Sequence, residues 1–360
     1  MTLKKIEIIE KITLLLRLKD FCDIINMLTE SKRAETLAYI SALWESSPTK
    51  IDINLPKVGE YLSILLIRVI SYRGGMNMGN KLEQLTEANK GNYDLYLKRM
   101  TRSISQSSKG LIPFFAAQCK KILDVGCGSG ILMQAIQAVN PEAKIVGIDI
   151  NQSAVDTCIE QGLDVRNATL SDLIRTGEMF DCVIFSSVLH EFSSYDEKAP
   201  FTEDPIEAAI EEASKVTEKG GFIIIRDGIR VDESEQSEKV RITFKNPEDA
   251  VWVERFKADF PDYHEESPLE TGVLSKENAK EFLYTFTWGE KSWNRESLER
   301  FGILTIDSWE EMVRRNGFDI KNLMISAEEY KKYLEDKIVI DDVVSRLLEE
   351  TTMLLVAEKN

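Results

Sequence analysis

The chain has 360 residues, 43% hydrophobic and 29% charged, with a net charge of −16. This length implies two domains or one elaborated domain, and no apolar run reaches the ~18 residues that a membrane span needs. The acidic balance repels a phosphate backbone on average, which argues against DNA or RNA as partner unless a local basic groove exists. The N-terminal MTLKKIEIIEKITLLLRL is interrupted by Lys, Glu and Arg and lacks a small-residue cleavage site, so it reads as an amphipathic helix rather than a signal peptide. The five cysteines (Cys22, Cys119, Cys127, Cys158 and Cys182) are scattered and odd in number, and no pair has metal-ligand spacing. The expectation is a cytoplasmic protein without a structural metal.

Over the first 105 residues, apolar side chains recur three and four apart in IEIIEKITLLLRL, DFCDIINMLTE, AETLAYISALW and VGEYLSILLIRVISY. This period predicts a helical N-terminal domain, with a further helix through NYDLYLKRMTRSI and a linker at SQSSKG. From residue 106 the pattern becomes that of an α/β core. KILDVGC, AKIVGIDI, LDVRN, FDCVIFSSV and FIIIRDG read as strands. They alternate with helical ILMQAIQAV, NQSAVDTCIEQG, SDLIRTG and DPIEAAIEEASKVTEKGG. Strand–helix alternation with continuous apolar strands implies a mostly parallel, doubly wound sheet covered on both faces. Residues 229–304 break the alternation and are too long for a bare loop. They are expected to form a mainly helical lid insertion in which most of the aromatic rings build a small core of their own. The core then resumes with a helix at TIDSWEEMVRRNG capped by Thr305 or Asp307, a strand at GFDIKNLMIS, a largely helical YKKYLEDKIVIDDVVSRLLEE and a last strand at TTMLLVAEK.

The informative segment is ILDVGCGSG, residues 122–130. A strand running into alternate glycines and then a helix leaves the backbone open to close approach, and the helix start offers free N–H groups and the positive end of its dipole. Asp149 ends the next strand about twenty residues on, where an acid meets ribose hydroxyls in doubly wound folds. A dinucleotide fingerprint would need a third glycine at position 131, which is Ile131. With Asp124 preceding Gly126, Gly128 and Gly130, the segment instead resembles the class I S-adenosylmethionine-dependent methyltransferases over roughly residues 120–228, and in outline over 305–360. The resemblance implies a seven-stranded Rossmann-like sheet and S-adenosylmethionine as cofactor. It implies that Asp124, Gly126, Cys127, Gly128 and Gly130 wrap the methionine part. Asp149 and the adjoining Ile150 would bind the ribose side, and Asn167 or Ala168 would lie near the adenine. Asn167 departs from the Asp frequent there.

The end of the fourth strand carries Ser186, followed by His190 and Glu191, at the edge that the resemblance gives to substrate. A neutral imidazole is a suitable base for deprotonating a hydroxyl acceptor near neutral pH; the alternative is a helix cap or a bond to a backbone carbonyl. Glu191 would orient the imidazole, contact an amine or be solvated. Arg226 and Asp227 end the fifth strand and would either clamp an anionic substrate group or pair with each other. Tyr96 and Arg99 share a helix face with Tyr93, to meet the cofactor carboxylate or to pack against the N-terminal helices. Trp288, in TFTWGEKSW, is the candidate substrate contact of the insertion, and His264 a solvated or capping residue. The expected activity is methyl transfer to an oxygen or nitrogen nucleophile, on a small molecule. The rival readings are an RNA or protein methyltransferase and a non-catalytic cofactor-binding scaffold or sensor. The N-terminal helices would complete the pocket, form a homodimer interface, or both.

Overall fold

The computed structural model describes residues 107–265, 269–326 and 330–360. The expected N-terminal helical domain, with Tyr96 and Arg99, lies outside the described residues. The sheet contains β1 (Lys121–Val125), β2 (Lys144–Asp149), β3 (Val165–Asn167), β4 (Phe180–Ser186), β5 (Thr217–Gly228), β8 (Phe318–Ser326) and β9 (Thr352–Lys359). Their order is β3-β2-β1-β4-β5-β9-β8. The pairings among β1 to β5 are parallel, and β9 runs antiparallel to both β5 and β8. This is the seven-stranded, mostly parallel sheet anticipated above.

Side chains alternate across a strand, so one apolar run feeds two cores. Ile223 and Ile225 enter a core with Leu123, Val183, Phe185 and Trp309. Ile224, between them, enters the core on the opposite face with Ile122, Cys182, Ile184 and Val356. The helices connecting the strands start where short polar side chains cap them. Asn151 accepts from the N–H groups of Ser153 and Ala154. Thr169 and Asp172 form a reciprocal capping box for Leu170–Thr176. Of the two cap candidates for the helix Ile306–Arg315, Thr305 caps it by accepting from Ser308 N–H.

Three boundaries differ from the sequence reading. The helix Asp204–Val216 stops before TEKGG, because Thr217 turns extended and pairs with Phe180, making TEKGG the first part of β5. The span 331–350 holds two short helices, Lys331–Leu334 and Asp342–Glu349, rather than one long helical stretch. Between them Ile338 bridges to Phe244. The segment 229–304 contains the helices Val251–Asp259, Lys276–Trp288 and Trp293–Glu296, and also a two-stranded antiparallel ribbon, β6 (Lys239–Arg241) with β7 (Val273–Ser275). Its rings Phe244, Phe256, Phe282, Phe286 and Trp293 form a third core that also takes Leu334, Ile338 and Leu347 from beyond the segment.

Specific polar anchors tie this third core to the sheet. The Tyr284 hydroxyl lies 3.1 Å from the carbonyl oxygen of Ile229 and 2.5 Å from that of Thr351. The buried Glu281 accepts from the backbone N–H groups of Phe301 and Gly302, each at 2.8 Å. Arg300, also buried, pairs with Glu277 and Asp262. These contacts fix residues 299–302 against the end of β5, where the functional residues gather.

Candidate functional site

The glycine turn follows β1. Gly126, Gly128 and Gly130 have φ of +66°, +52° and +72°, a region that residues with a Cβ rarely adopt. Gly126 and Cys127 both donate their N–H to the carbonyl of Ile148 at the end of β2. A Cβ on Gly126 would lie 2.4 Å from Val188 Cγ2, and one on Gly130 would lie 2.3 Å from Leu163 Cδ1. The glycines therefore serve close packing as well as close approach by a ligand.

Asp149 is bound into the turn. Its two carboxylate oxygens accept from Gly128 N–H at 2.9 Å and Asn151 N–H at 2.8 Å. Each oxygen retains a lone pair, so the acid stays competent for a sugar diol. Next to it, Ile150 is 80% exposed, an apolar face at the strand end on which a flat ring can lie. Asn167 donates its amide N–H groups to the carbonyls of Asp149 at 3.3 Å and Ile150 at 3.0 Å, which leaves its side-chain oxygen for a base. Ala168 packs against the main core. Cys127 is buried, and its contact with Cys158 together with burial pushes its thiol up, so it is an inert packing group.

Asp124 is only 2% exposed, and its Oδ2 has no hydrogen-bond partner among the described residues. Burial pushes its carboxyl up to about 7, with Lys109 pulling it down and Asp149 pushing it further up. A buried acceptor without a donor is costly. An ammonium-bearing ligand in the turn would relieve that cost. The residues present thus fit the cofactor implied by the glycine pattern: an orphaned acid, an open backbone turn, a diol acceptor and an exposed apolar side chain.

A second group of residues lies beside the turn, past β4. Ser186 is buried, with its hydroxyl oxygen unpartnered among the described residues. Ser187 has φ +58°, strain of the kind that accumulates at functional sites. Its N–H donates to the Arg226 carbonyl at 2.6 Å, and its hydroxyl accepts from the Arg226 guanidinium, which also donates to Ser108 at 3.1 Å. His190, 5% exposed, sits in the short helix Leu189–Ser194 with Nδ1 2.6 Å from Asp227 Oδ1. Asp227 Oδ2 accepts from the N–H groups of Leu189 and His190. On the other side, His190 Nε2 lies 3.6 Å from Glu299 Oε2.

Ser187, His190, Arg226, Asp227 and Glu299 line a cleft of about 80 Å³ that includes Lys109, Glu191, Trp288, Arg295 and Glu296. The cleft lies near the turn: Val188, between the cleft-lining Ser187 and His190 in the chain, packs on Gly126, and Lys109 both lines the cleft and acts on the charge of Asp124.

Four sequence expectations change here. His190 is not a neutral base as placed. Burial favours the neutral ring, but Asp227 and Glu299 outweigh it and hold the imidazole well above its usual range. Glu191 does not orient the imidazole; Asp227 does, while Glu191 pairs with Arg295 at 3.2 Å. Burial and the neighbouring Glu299 push the Glu191 carboxyl up to about 7. Asp227 borders the cleft, but its oxygens are engaged by His190, Leu189 and Gly228, so it acts by positioning His190. Arg226 reaches serine hydroxyls rather than forming the sheet-edge pair with Asp227. Trp288 does line the cleft. His264 is exposed, with Nδ1 3.0 Å from the Asp262 carbonyl oxygen, as expected of a solvated residue.

Sequence reasoning missed Lys109, Arg295, Glu296 and Glu299. The last three belong to NRESLER, where Arg295 and Glu299 sit four apart and pair at 3.4 Å. That spacing is an ordinary solvated helix pattern, so nothing local marks it as part of a site over a hundred residues from His190.

Residues 118–285 match the family model described as a methyltransferase domain. Among curated proteins, the chain is 29% identical over 75 residues to ribosomal RNA small subunit methyltransferase C of Shewanella loihica, covering 20% of this chain and 22% of that protein. It is 33% identical over 81 residues to the protein of that name from Salmonella choleraesuis, covering 22% and 21%. The chain thus spans about a fifth of the length of these relatives. Among solved structures, the cyclopropane synthase MmaA2 of Mycobacterium tuberculosis aligns with a TM-score of 0.45 at 11% identity, over 71% of this chain and 84% of that one. Human N-acetylserotonin methyltransferase, solved with S-adenosylmethionine, aligns with a TM-score of 0.41 at 14% identity, over 79% and 57%. Among the described residues no helix is long and apolar enough to cross a membrane. Residues 118–285 thus carry a methyltransferase domain on a seven-stranded sheet whose glycine turn is closed by Asp149, consistent with the class I S-adenosylmethionine-dependent methyltransferases.

Proposed function

We propose that this protein transfers the methyl group of S-adenosylmethionine to an oxygen or nitrogen nucleophile on a small molecule. One observation carries the reading: the glycine turn and the polar cleft are neighbours, since Lys109 lines the cleft and acts on the charge of Asp124 beneath the turn. When bound, the cofactor supplies an electrophilic sulfonium methyl. The chain's own contribution is alignment and electrostatics. Asp149 accepts from the ribose hydroxyls, Asp124 receives the ammonium of the methionine part, and Ile150 covers the base. In the cleft, Glu191 lies beside His190, where an acceptor would enter. His190, held by Asp227, presents Nε2 toward the cleft. The segment 229–304 acts as a lid: Trp288, Glu299 and Phe301, from it, line the cleft.

The names of the curated relatives favour a second reading, ribosomal RNA as acceptor. The net charge of −16 and the carboxylate lining of the cleft weigh against it. Incubation with isotope-labelled cofactor and fractionated cell extract tests both. Label in a small-molecule fraction supports the first reading and label in RNA the second. The cofactor assignment is tested by calorimetry with S-adenosylmethionine and its demethylated product; no heat from either refutes methyl transfer altogether.

A further inference from the structure

Three glutamates, Glu191, Glu296 and Glu299, crowd the cleft beside His190, and one of them, Glu296, accepts no hydrogen bond from a described residue. We infer that His190 Nε2, Glu191 and Glu299 form a binding site for a first-row divalent metal ion, with Glu296 as a further carboxylate of the same cleft. Each of the three residues offers a ligand atom, all within 4.8 Å of one another.

The separation of His190 Nε2 and Glu299 Oε2 is the central fact. At 3.6 Å it is too long for a hydrogen bond. It is the right span for two ligands on one ion: with metal–ligand distances of about 2.1 Å, the angle at the ion is about 120°. An alkylammonium about 2.8 Å from both atoms would subtend only about 80°, narrower than the angle between two of its N–H bonds. The spacing therefore selects an ion over an amine. An imidazole with carboxylates suits manganese, iron or zinc.

The surroundings fit that assignment independently. Glu296 is 4% exposed, lines the cleft and accepts no hydrogen bond from a described residue. An acid so placed stays neutral unless a cation joins it. His190 Nδ1 is fixed by the buried Asp227 at 2.6 Å, the carboxylate–histidine arrangement that sets the ring of a metal ligand. Tyr195 and Arg295 engage Oε1 of Glu299, at 2.6 and 3.4 Å, so its Oε2 is the atom turned to His190. A cleft of about 80 Å³ takes an ion with a few waters.

The test uses the full chain, free of cofactor, titrated with Mn²⁺ and followed by electron paramagnetic resonance. The expected result is about one ion bound per chain, with nitrogen coupling from a single imidazole in the pulsed spectrum. Glu191→Gln and Glu299→Gln should each weaken binding by about tenfold or more, while Glu233→Gln, at an exposed acid elsewhere, should not. If Glu299→Gln fails to fold, Glu191→Gln decides, since its side chain is partly exposed and bonded to Arg295. No uptake at ~1 mM Mn²⁺, uptake without nitrogen coupling, or unchanged uptake in the acid variants overturns the site. Heat from methylammonium with none from Mn²⁺ does the same. Because no S-adenosylmethionine is present, failure here leaves the methyl-transfer reading untouched.

Discussion

Replacing Asp124 by Asn isolates the tension stored under the glycine turn. In the folded chain the Asp124 carboxyl is pushed from 3.8 up to about 7, chiefly by burial. Between these two values the folded state holds a proton that the unfolded state has released. Stability therefore falls as pH rises through that window. At about 1.36 kcal/mol per pK unit, the full span amounts to about 4 kcal/mol, an upper bound because the turn can relax. Asn is nearly isosteric and does not titrate, but its amide adds a buried donor that costs about 1 kcal/mol. The variant should thus be less stable than the parent by about 1 kcal/mol near pH 4 and more stable by about 2–3 kcal/mol near pH 8. For a domain of this size that is an upward shift in melting temperature of ~5–10 °C at the higher pH. Calorimetric melts of both proteins without cofactor, across this range, read the difference directly. Other acids titrate in the same window, but they cancel between parent and variant. Parallel stability curves would refute the claim that Asp124 is a buried, unpaired acid. Cofactor affinity should fall in the same variant, so that the turn is stabilised at the expense of binding.

Asp149→Ala should lower the affinity for S-adenosylmethionine about ten- to hundredfold by removing charge-assisted hydrogen bonds; unchanged calorimetric affinity would place the ribose elsewhere. Because Asp149 also holds Gly128 N–H and Asn151 N–H, amide exchange at those two positions should accelerate in the same variant. Gly130→Ala should destabilise by ~1–3 kcal/mol, from the clash with Leu163 and the positive φ. Adding Leu163→Ala should relieve the clash but not the backbone strain, and a denaturant midpoint that recovers fully would show that the conformation costs nothing. The His190 ring resonance should titrate with a midpoint above the ordinary ~6.5, because Asp227 and Glu299 raise its pKa against the effect of burial. The stability that this charge contributes is fully present below ~6.5 and is lost as pH rises through the folded value. A midpoint near 6.5 in the nuclear magnetic resonance titration would mean that Asp227 does not hold the charged form.

The core fold was legible because its signals are local. Buried parallel strands demand continuous apolar runs, and ILDV, KIVGID and FDCVIFS have them. The glycine turn and Asp149 were legible for the same reason: the strand–turn–helix unit and the acid on the next strand lie within thirty residues. The boundary of β5 was not. TEKGG carries a helix-stop pattern, and only pairing with Phe180 across the sheet makes it strand. The aromatics of 229–304 showed that a core existed there, but not that Leu334, Ile338 and Leu347 would complete it.

By itself the sequence determined the sheet, its glycine turn and the acid that closes it, since these follow from patterns over a few consecutive residues. Tertiary structure alone decided what His190 is. Asp227 from β5 and Glu299 from the far end of the insertion converge on the ring, changing an expected neutral base into a held cation. Charges act through space at a few ångströms, whatever their separation along the chain.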